Sequence, residues 1–254
     1  MRRDVYALRD FYASPLGATA RALIAGKLAE AWGEARDLDV LGLGYATPFL
    51  EPFRAEARRV VAAMPAGQGA EPWPLDSRNA VALSPEGTLP FMNALFDRVL
   101  LAHALEESES ALDLLREAHR VMAPMGRIVV AVAGRGGMWA RAEHTPFGHG
   151  RPFTRGQLDE LLREAELEPV AWTRTLYAPP SPLLARWPEP WEQMGALLLQ
   201  PFAGVILIEA VKRSFAPTAR APVTARARPV PRGGRPAPVP AGVMRRDLRA
   251  RPPK

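Results

Sequence analysis

The stretch Leu38-Asp39-Val40-Leu41-Gly42-Leu43-Gly44-Tyr45-Ala46-Thr47-Pro48 constrains the fold more than any other. A short apolar run breaks at two glycines one residue apart and passes into a helix-like segment, the pattern of a strand, a tight turn and a helix start. Glycine has no Cβ, so the backbone there can take left-handed dihedrals and a ligand can approach the main chain closely. The unpaired N–H groups of a first helical turn point at whatever lies above the strand end, and open α/β sheets bind ligands at the carboxyl ends of their strands. The turn is read as a site for a nucleotide-like ligand, weighed against a plain strand-to-helix turn that holds nothing.

The rest of the chain supplies what such a turn needs. Leu16, Ala20, Leu23, Ile24, Leu28, Ala31 and Trp32 recur at helical spacing behind Ser14-Pro15, a good helix start. Phe11-Tyr12 ahead of it reads as an aromatic lid. After the glycines come a helix over residues 49–59, strands over 60–63, 79–83 and 96–102 with His103 at the last strand's end, and a helix over 108–122 with Ala111, Leu112, Leu115, Ala118, His119 and Met122 on one face. Gly126 opens a strand over 127–132. A long loop over 133–153 follows, rich in glycine, aromatic and basic residues. Thr154 with Gln157 three residues on gives a capping box. A strand over 170–177, an aromatic-bearing helix over 187–200 and a strand over 204–211 complete the order. Alternating strands and helices imply a parallel sheet covered on both faces.

Charge divides the chain in two. Residues 214–254 hold nine Arg and Lys254 against Asp247 alone, so this +9 stretch leaves −3 for residues 1–213 out of a total of +6. With nine prolines and few large apolar side chains, the stretch 214–254 cannot bury enough surface to offset the entropy of ordering, and is expected to be a disordered basic tail. Its arginines suit non-specific contact with a polyanion. Cysteine is absent, which excludes disulfides, thiolate nucleophiles and Cys-ligated metals. No apolar run reaches the ~20 residues of a membrane span, and Met1-Arg2-Arg3-Asp4 lacks the apolar core of a signal peptide; a cytoplasmic location is expected.

Four pieces in order carry a resemblance: Asp39-Val40-Leu41-Gly42-Leu43-Gly44; Leu89-Pro90-Phe91 shortly before Phe96-Asp97-Arg98-Val99-Leu100; His103-Ala104-Leu105-Glu106; and Leu115-Arg116-Glu117-Ala118-His119-Arg120-Val121-Met122-Ala123-Pro124. Together they resemble the small-molecule type of class I S-adenosylmethionine-dependent methyltransferases, over roughly residues 5–213. The resemblance implies a Rossmann-like, doubly wound α/β sheet of seven strands, the last antiparallel, with S-adenosylmethionine above the first and fourth strands. Carried over by position, Gly42, Leu43, Gly44 and Tyr45 would meet the methionine part of the cofactor, Ala46 standing where the family has a third glycine. Glu86, Gly87 and Leu89 would lie by the adenine, His103 near the methyl-bearing sulfur, and Tyr12 at the amino acid end. Methyl transfer needs chiefly that an acceptor be held in line with the methyl group and water be excluded, so no catalytic triad is expected; His103 and His149 are the candidate catalytic groups, toward a small-molecule acceptor.

Departures accompany the matches. Met64 stands where the family has an acid for the ribose hydroxyls, and Pro85 where it has an acid for the adenine, with Glu86 beside it. These motivate an alternative, a methyltransferase-like scaffold that serves as a binding or regulatory module. A nicotinamide or flavin dinucleotide is disfavoured, because that fingerprint wants a glycine at Thr47 and an acid after the second strand. His144 and His149 are read as loop histidines, with no metal site, His149 as an acceptor-handling group. Gly134-Arg135-Gly136-Gly137 is read as loop punctuation ahead of an anion cradle, and Glu106 and Glu107 as helix-start acids without a catalytic role.

Overall fold

Alternation inside the strands sorts the core into two layers. A computed structural model of the protein describes residues 2–212, and the tail expected over 214–254 lies outside them. In β1 (Asp39–Gly44), Val40 faces one layer while Leu41 and Leu43 face the other. The same split recurs in β4 (Phe96–Ala102), with Leu100 and Ala102 against Val99 and Leu101, and in β5 (Met122–Ala133), with Val129 and Ala131 against Ile128 and Val130. Side chains one residue apart in a strand point to opposite faces, so a sheet apolar on both faces must be covered twice.

One seven-stranded sheet results, in the order β3-β2-β1-β4-β5-β7-β6, with β2 (Arg59–Pro65), β3 (Val81–Ser84), β6 (Leu167–Thr175) and β7 (Val205–Lys212). β1 through β5 pair in parallel; β7 runs antiparallel to both β5 and β6. The strand order reverses between β1 and β4, the place where a doubly wound sheet opens a crevice.

The helices follow from caps and breakers. Asp4 caps α1 (Val5–Ala13), accepting from the Tyr6 N–H at 2.7 Å, and Ser14 with Pro15 begins α2 (Pro15–Trp32), the Ser14 side chain accepting from Gly17 N. α4 (Ala111–Val121) starts on Ser110, and the Thr154–Gln157 capping box starts α5 (Arg155–Glu164). α1 and α2 cover one face of the sheet with their apolar side chains, α4 and α5 the other.

Three expectations are corrected. The helix over 49–59 is only α3 (Thr47–Leu50) followed by a 3₁₀ turn (Glu51–Phe53): Pro52 has no N–H to bond the carbonyl four residues back, so the α-helix cannot continue. β6 starts at Leu167, not 170, because it is an edge strand that tolerates Pro169, with a register shift between Pro169 and Ala171. The buried face of α4 is Leu114, Leu115, Ala118 and Val121, while Leu112 and His119 sit at its margin. α6 (Pro188–Leu198) lies within the helix expected over 187–200.

Candidate functional site

The glycine turn closes on itself. Gly44 has φ of 81°, and Tyr45 N donates to Ala102 O at 2.9 Å, tying the end of β1 to the end of β4. A Cβ on Gly44 would stand 2.3 Å from Ala102 O, and one on Gly42 would stand 2.6 Å from both Ala46 Cβ and Leu50 Cδ1. Close chain packing therefore accounts for both glycines. His103, directly after β4, also takes a positive φ, 50°. A left-handed non-glycine residue costs about 1–3 kcal/mol and persists only where its surroundings enforce it.

Residues 2–13 enforce it by entering the crevice. Arg2, its side chain 8 % exposed, forms an ion pair with Glu86, lies 3.8 Å from Glu107 and donates to Ala104 O at 3.0 Å. Arg3 N donates to Glu107 Oε2 at 2.7 Å, and Arg3 NH2, a nitrogen that can only donate, lies 2.7 Å from His149 Nε2. Val5 N donates to Gln68 O at 2.9 Å. The α1 face Val5, Leu8, Phe11 and Tyr12 is buried. Tyr12 stacks on Tyr45 at 5.9 Å between centroids, meets Phe49 edge-on, and its hydroxyl lies 2.6 Å from His103 Nε2. Tyr45 in turn donates to Glu71 Oε1 at 2.8 Å.

Electrostatics fit this packing. Burial, helped by the Arg3 charge, pushes the His103 pKa down to about 3; the imidazole is neutral at pH 7, and its tautomer sets whether Nε2 accepts a hydrogen bond from the Tyr12 hydroxyl or donates one to it. Burial pushes the Glu106 carboxyl up to about 7, opposed by the bond from Ala133 N to its Oε1. Glu106 Oε2 is buried and has no partner among the described residues. Burial also raises Tyr12 and Tyr45 above the usual phenol range.

Space is left beside the turn and not over it: a groove of about 660 Å³ runs past Arg2, Pro65, Glu86 and Gly87 at the ends of β2 and β3. Between Gly44, Met64, Glu86, Leu89 and Ala104 there is a cavity of about 10 Å³, and another of about 10 Å³ lies between Arg3, His103, Glu106 and His149. Each has room for roughly one water molecule, whereas pockets for drug-sized ligands run to about 300–1,000 Å³.

The structure brings Tyr12, Gly42, Leu43, Gly44, Tyr45, Met64 and Leu89 together as buried residues about the β1–β4 rim, with His103 half-buried among them. Gly87 is exposed on an outer groove, and Glu86 is turned to Arg2 and to Ser108 Oγ, 2.6 Å away. Leu89 is fixed by α4, its N–H donating to Glu117 and its carbonyl accepting from Arg120. His149 is drawn toward this cluster through Arg3, while His144 meets the Pro180 carbonyl at 2.9 Å. Sequence reasoning missed Arg2 and Arg3, whose only signal was a pair of cations just ahead of a capped helix, and it read Glu106 as a helix-start acid, whereas α4 begins only after Ser110 and Glu106 is buried on the Ala133 N–H.

A doubly wound sheet with this strand order, a single reversed strand and its crevice between β1 and β4 defines the Rossmann-like, methyltransferase-like class of α/β folds. Residues 25–130 match the sequence model of a family described as a methyltransferase domain, and the sheet has the strand order of solved S-adenosylmethionine-dependent methyltransferases, so the chain has a class I methyltransferase-like fold. It is 29 % identical over 136 residues to an uncharacterized protein of Mycobacterium tuberculosis, covering 51 % of this chain and 46 % of that one; the chain thus spans about half the length of the curated relatives it matches. A structure of an S-adenosylmethionine-dependent methyltransferase of Thermotoga maritima, described as a possible histamine N-methyltransferase, superposes with a TM-score of 0.58 at 17 % identity, over 80 % of this chain and 93 % of that one. A 1,6-didemethyltoxoflavin N1-methyltransferase of Burkholderia thailandensis, solved with S-adenosylhomocysteine, gives 0.52 at 19 %, over 81 % and 82 %.

These likenesses imply S-adenosylmethionine as methyl donor. The residues present do not fit it in the arrangement described: Met64 offers no acceptor for ribose hydroxyls, Glu86 is spent on Arg2 and Ser108, and Tyr12 and Arg2 take the space above the turn.

Proposed function

We propose that this chain is an S-adenosylmethionine-dependent methyltransferase for a small-molecule acceptor, and that the arrangement described is its shut form. The observation that carries the reading is where the obstruction comes from. Arg2, Arg3 and Tyr12 belong to a segment that precedes the matched stretch 25–130 and is set off from it by the Ser14-Pro15 junction. Withdrawal of that one segment clears the rim over Gly44 and His103 without disturbing the sheet. His103, neutral and facing the rim, and His149 remain the candidates for handling an acceptor proton. Residues 1–213 constitute the methyltransferase-like domain in this reading, in the cytoplasm, with 214–254 as an accessory that contacts polyanions.

A second reading, a scaffold without methyl transfer, is favoured by one observation: Met64 is fully buried at the end of β2 where a ribose-binding acid is needed. Calorimetry with S-adenosylhomocysteine separates the two. The Arg2→Ala, Arg3→Ala double variant is expected to bind it at least tenfold more tightly than the unaltered protein; at 100 times Kd the ligand adds about 2.7 kcal/mol of stability. No binding by either protein at millimolar ligand leaves the scaffold reading standing.

A further inference from the structure

Away from the crevice, the loop that begins Gly134-Arg135-Gly136-Gly137 borders a second and larger hollow. It measures about 370 Å³ and lies between Gly134 and Gly136 at the end of β5, Thr154 and Arg155 at the start of α5, and Arg174 on β6. No Asp or Glu is among the residues that line it, and three arginines are. Their other engagements are weak. Arg135 donates to Pro152 O at 3.3 Å, Arg174 to Gln200 Oε1 at 3.4 Å, and Arg155 lies 3.5 Å from Asp159. A guanidinium carries five N–H donors, so most of the donors at this hollow are unspent.

Arg155 and Arg174 are also held over the same ring: their guanidinium carbons lie 4.2 and 4.8 Å from the Trp172 centroid. The ring, 40 % exposed and outside the lining of the hollow, draws two like charges to one place beside it, where they repel each other. The α5 N–H groups are not needed for this argument, since Thr154 and Gln157 cap each other. Planar guanidinium groups match the geometry of phosphate oxygens through paired N–H···O bonds. The position is also apt, because the C-terminal ends of strands are where open α/β sheets take ligands.

We infer that this hollow is a binding site for a phosphate-bearing small molecule, held by Arg135, Arg155 and Arg174. Its volume exceeds what a bare phosphate fills and falls in the range of small-ligand pockets. The assignment is independent of the methyl-transfer reading, since the two sites share no lining residue.

Titration of the full chain with pyrophosphate by calorimetry at low salt tests it. Sub-millimolar binding is expected, weakened roughly tenfold for each of Arg155→Gln and Arg174→Gln, as for loss of a hydrogen bond to a charged group. Arg116→Gln, on the opposite part of α4, should leave it unchanged, and thermal melting verifies that each variant is folded. Trp172→Phe should remove any fluorescence change that accompanies binding. Absence of binding at 10-fold above millimolar pyrophosphate, or equal weakening by Arg116→Gln, overturns the site. Binding of single-stranded nucleic acid with the same arginine dependence, and no pyrophosphate binding, overturns the small-molecule assignment in favour of a nucleic-acid backbone.

Discussion

Burial moves Glu106 and His103, neighbours at the crevice, in opposite directions: the carboxyl up to about 7 and the imidazole down to about 3. The two signs can be followed separately. A carboxyl that holds its proton better in the fold than in the unfolded chain favours folding at low pH, and that contribution fades as pH rises from about 4.5 to about 7. An imidazole that refuses its proton in the fold costs stability as pH falls below its ordinary 6.5. Each slope is about 1.4 kcal/mol per pH unit at most, and between about pH 4.5 and 6.5 they cancel. Glu106→Gln should therefore expose the His103 slope: urea midpoints of the variant fall, relative to the unaltered protein, as pH is lowered through that window. Parallel profiles for the two proteins would show that Glu106 titrates normally. Tyr12 and His103 were legible as candidates because their residue types and positions are distinctive. Arg2 was not, since nothing local says that an exposed-looking arginine will be buried against Glu86 and Ala104.

The elements differ in how much of their fate is local. α2, α4 and α5 carry their caps in the sequence, and β1, β4 and β5 their apolar alternation, so their existence and faces follow from nearest-neighbour chemistry. The β1 turn is a different case, because its glycines look like a ligand loop and are required by packing. Gly44→Ala puts a Cβ at a positive φ and against the Ala102 carbonyl, and is expected to cost at least about 2 kcal/mol, from the left-handed penalty together with the clash. Gly26→Ala in α2, where a Cβ meets nothing within 4 Å, should instead stabilise by up to about 1 kcal/mol. Denaturant unfolding of both variants measures the contrast, and a Gly44→Ala protein as stable as the original would mean that the turn is open rather than closed on β4.

For the whole molecule, the central question is whether α1 belongs to the sheet's cooperative unit. It is tied to the body by Val5 to Gln68 and Tyr12 to His103, and through Arg2 and Arg3 just ahead of it by Glu86, Ala104 and Glu107, and it contributes no strand. Amide hydrogen exchange is expected to show α1 opening at a lower free energy than β1, β4 and β5, as segments that open sub-globally do; exchange of α1 only with global unfolding would count against a strap that withdraws. No helix among the described residues is long and apolar enough to cross a membrane. Taken by itself, the sequence determined the order of strands and helices and the two-faced sheet, because periodicity, caps and breakers act within a few residues. Tertiary structure alone decided what fills the crevice. Arg2 meets Ala104 across 102 positions and Tyr12 meets His103 across 91, and such pairs are set by how the elements pack in space, which no local pattern encodes.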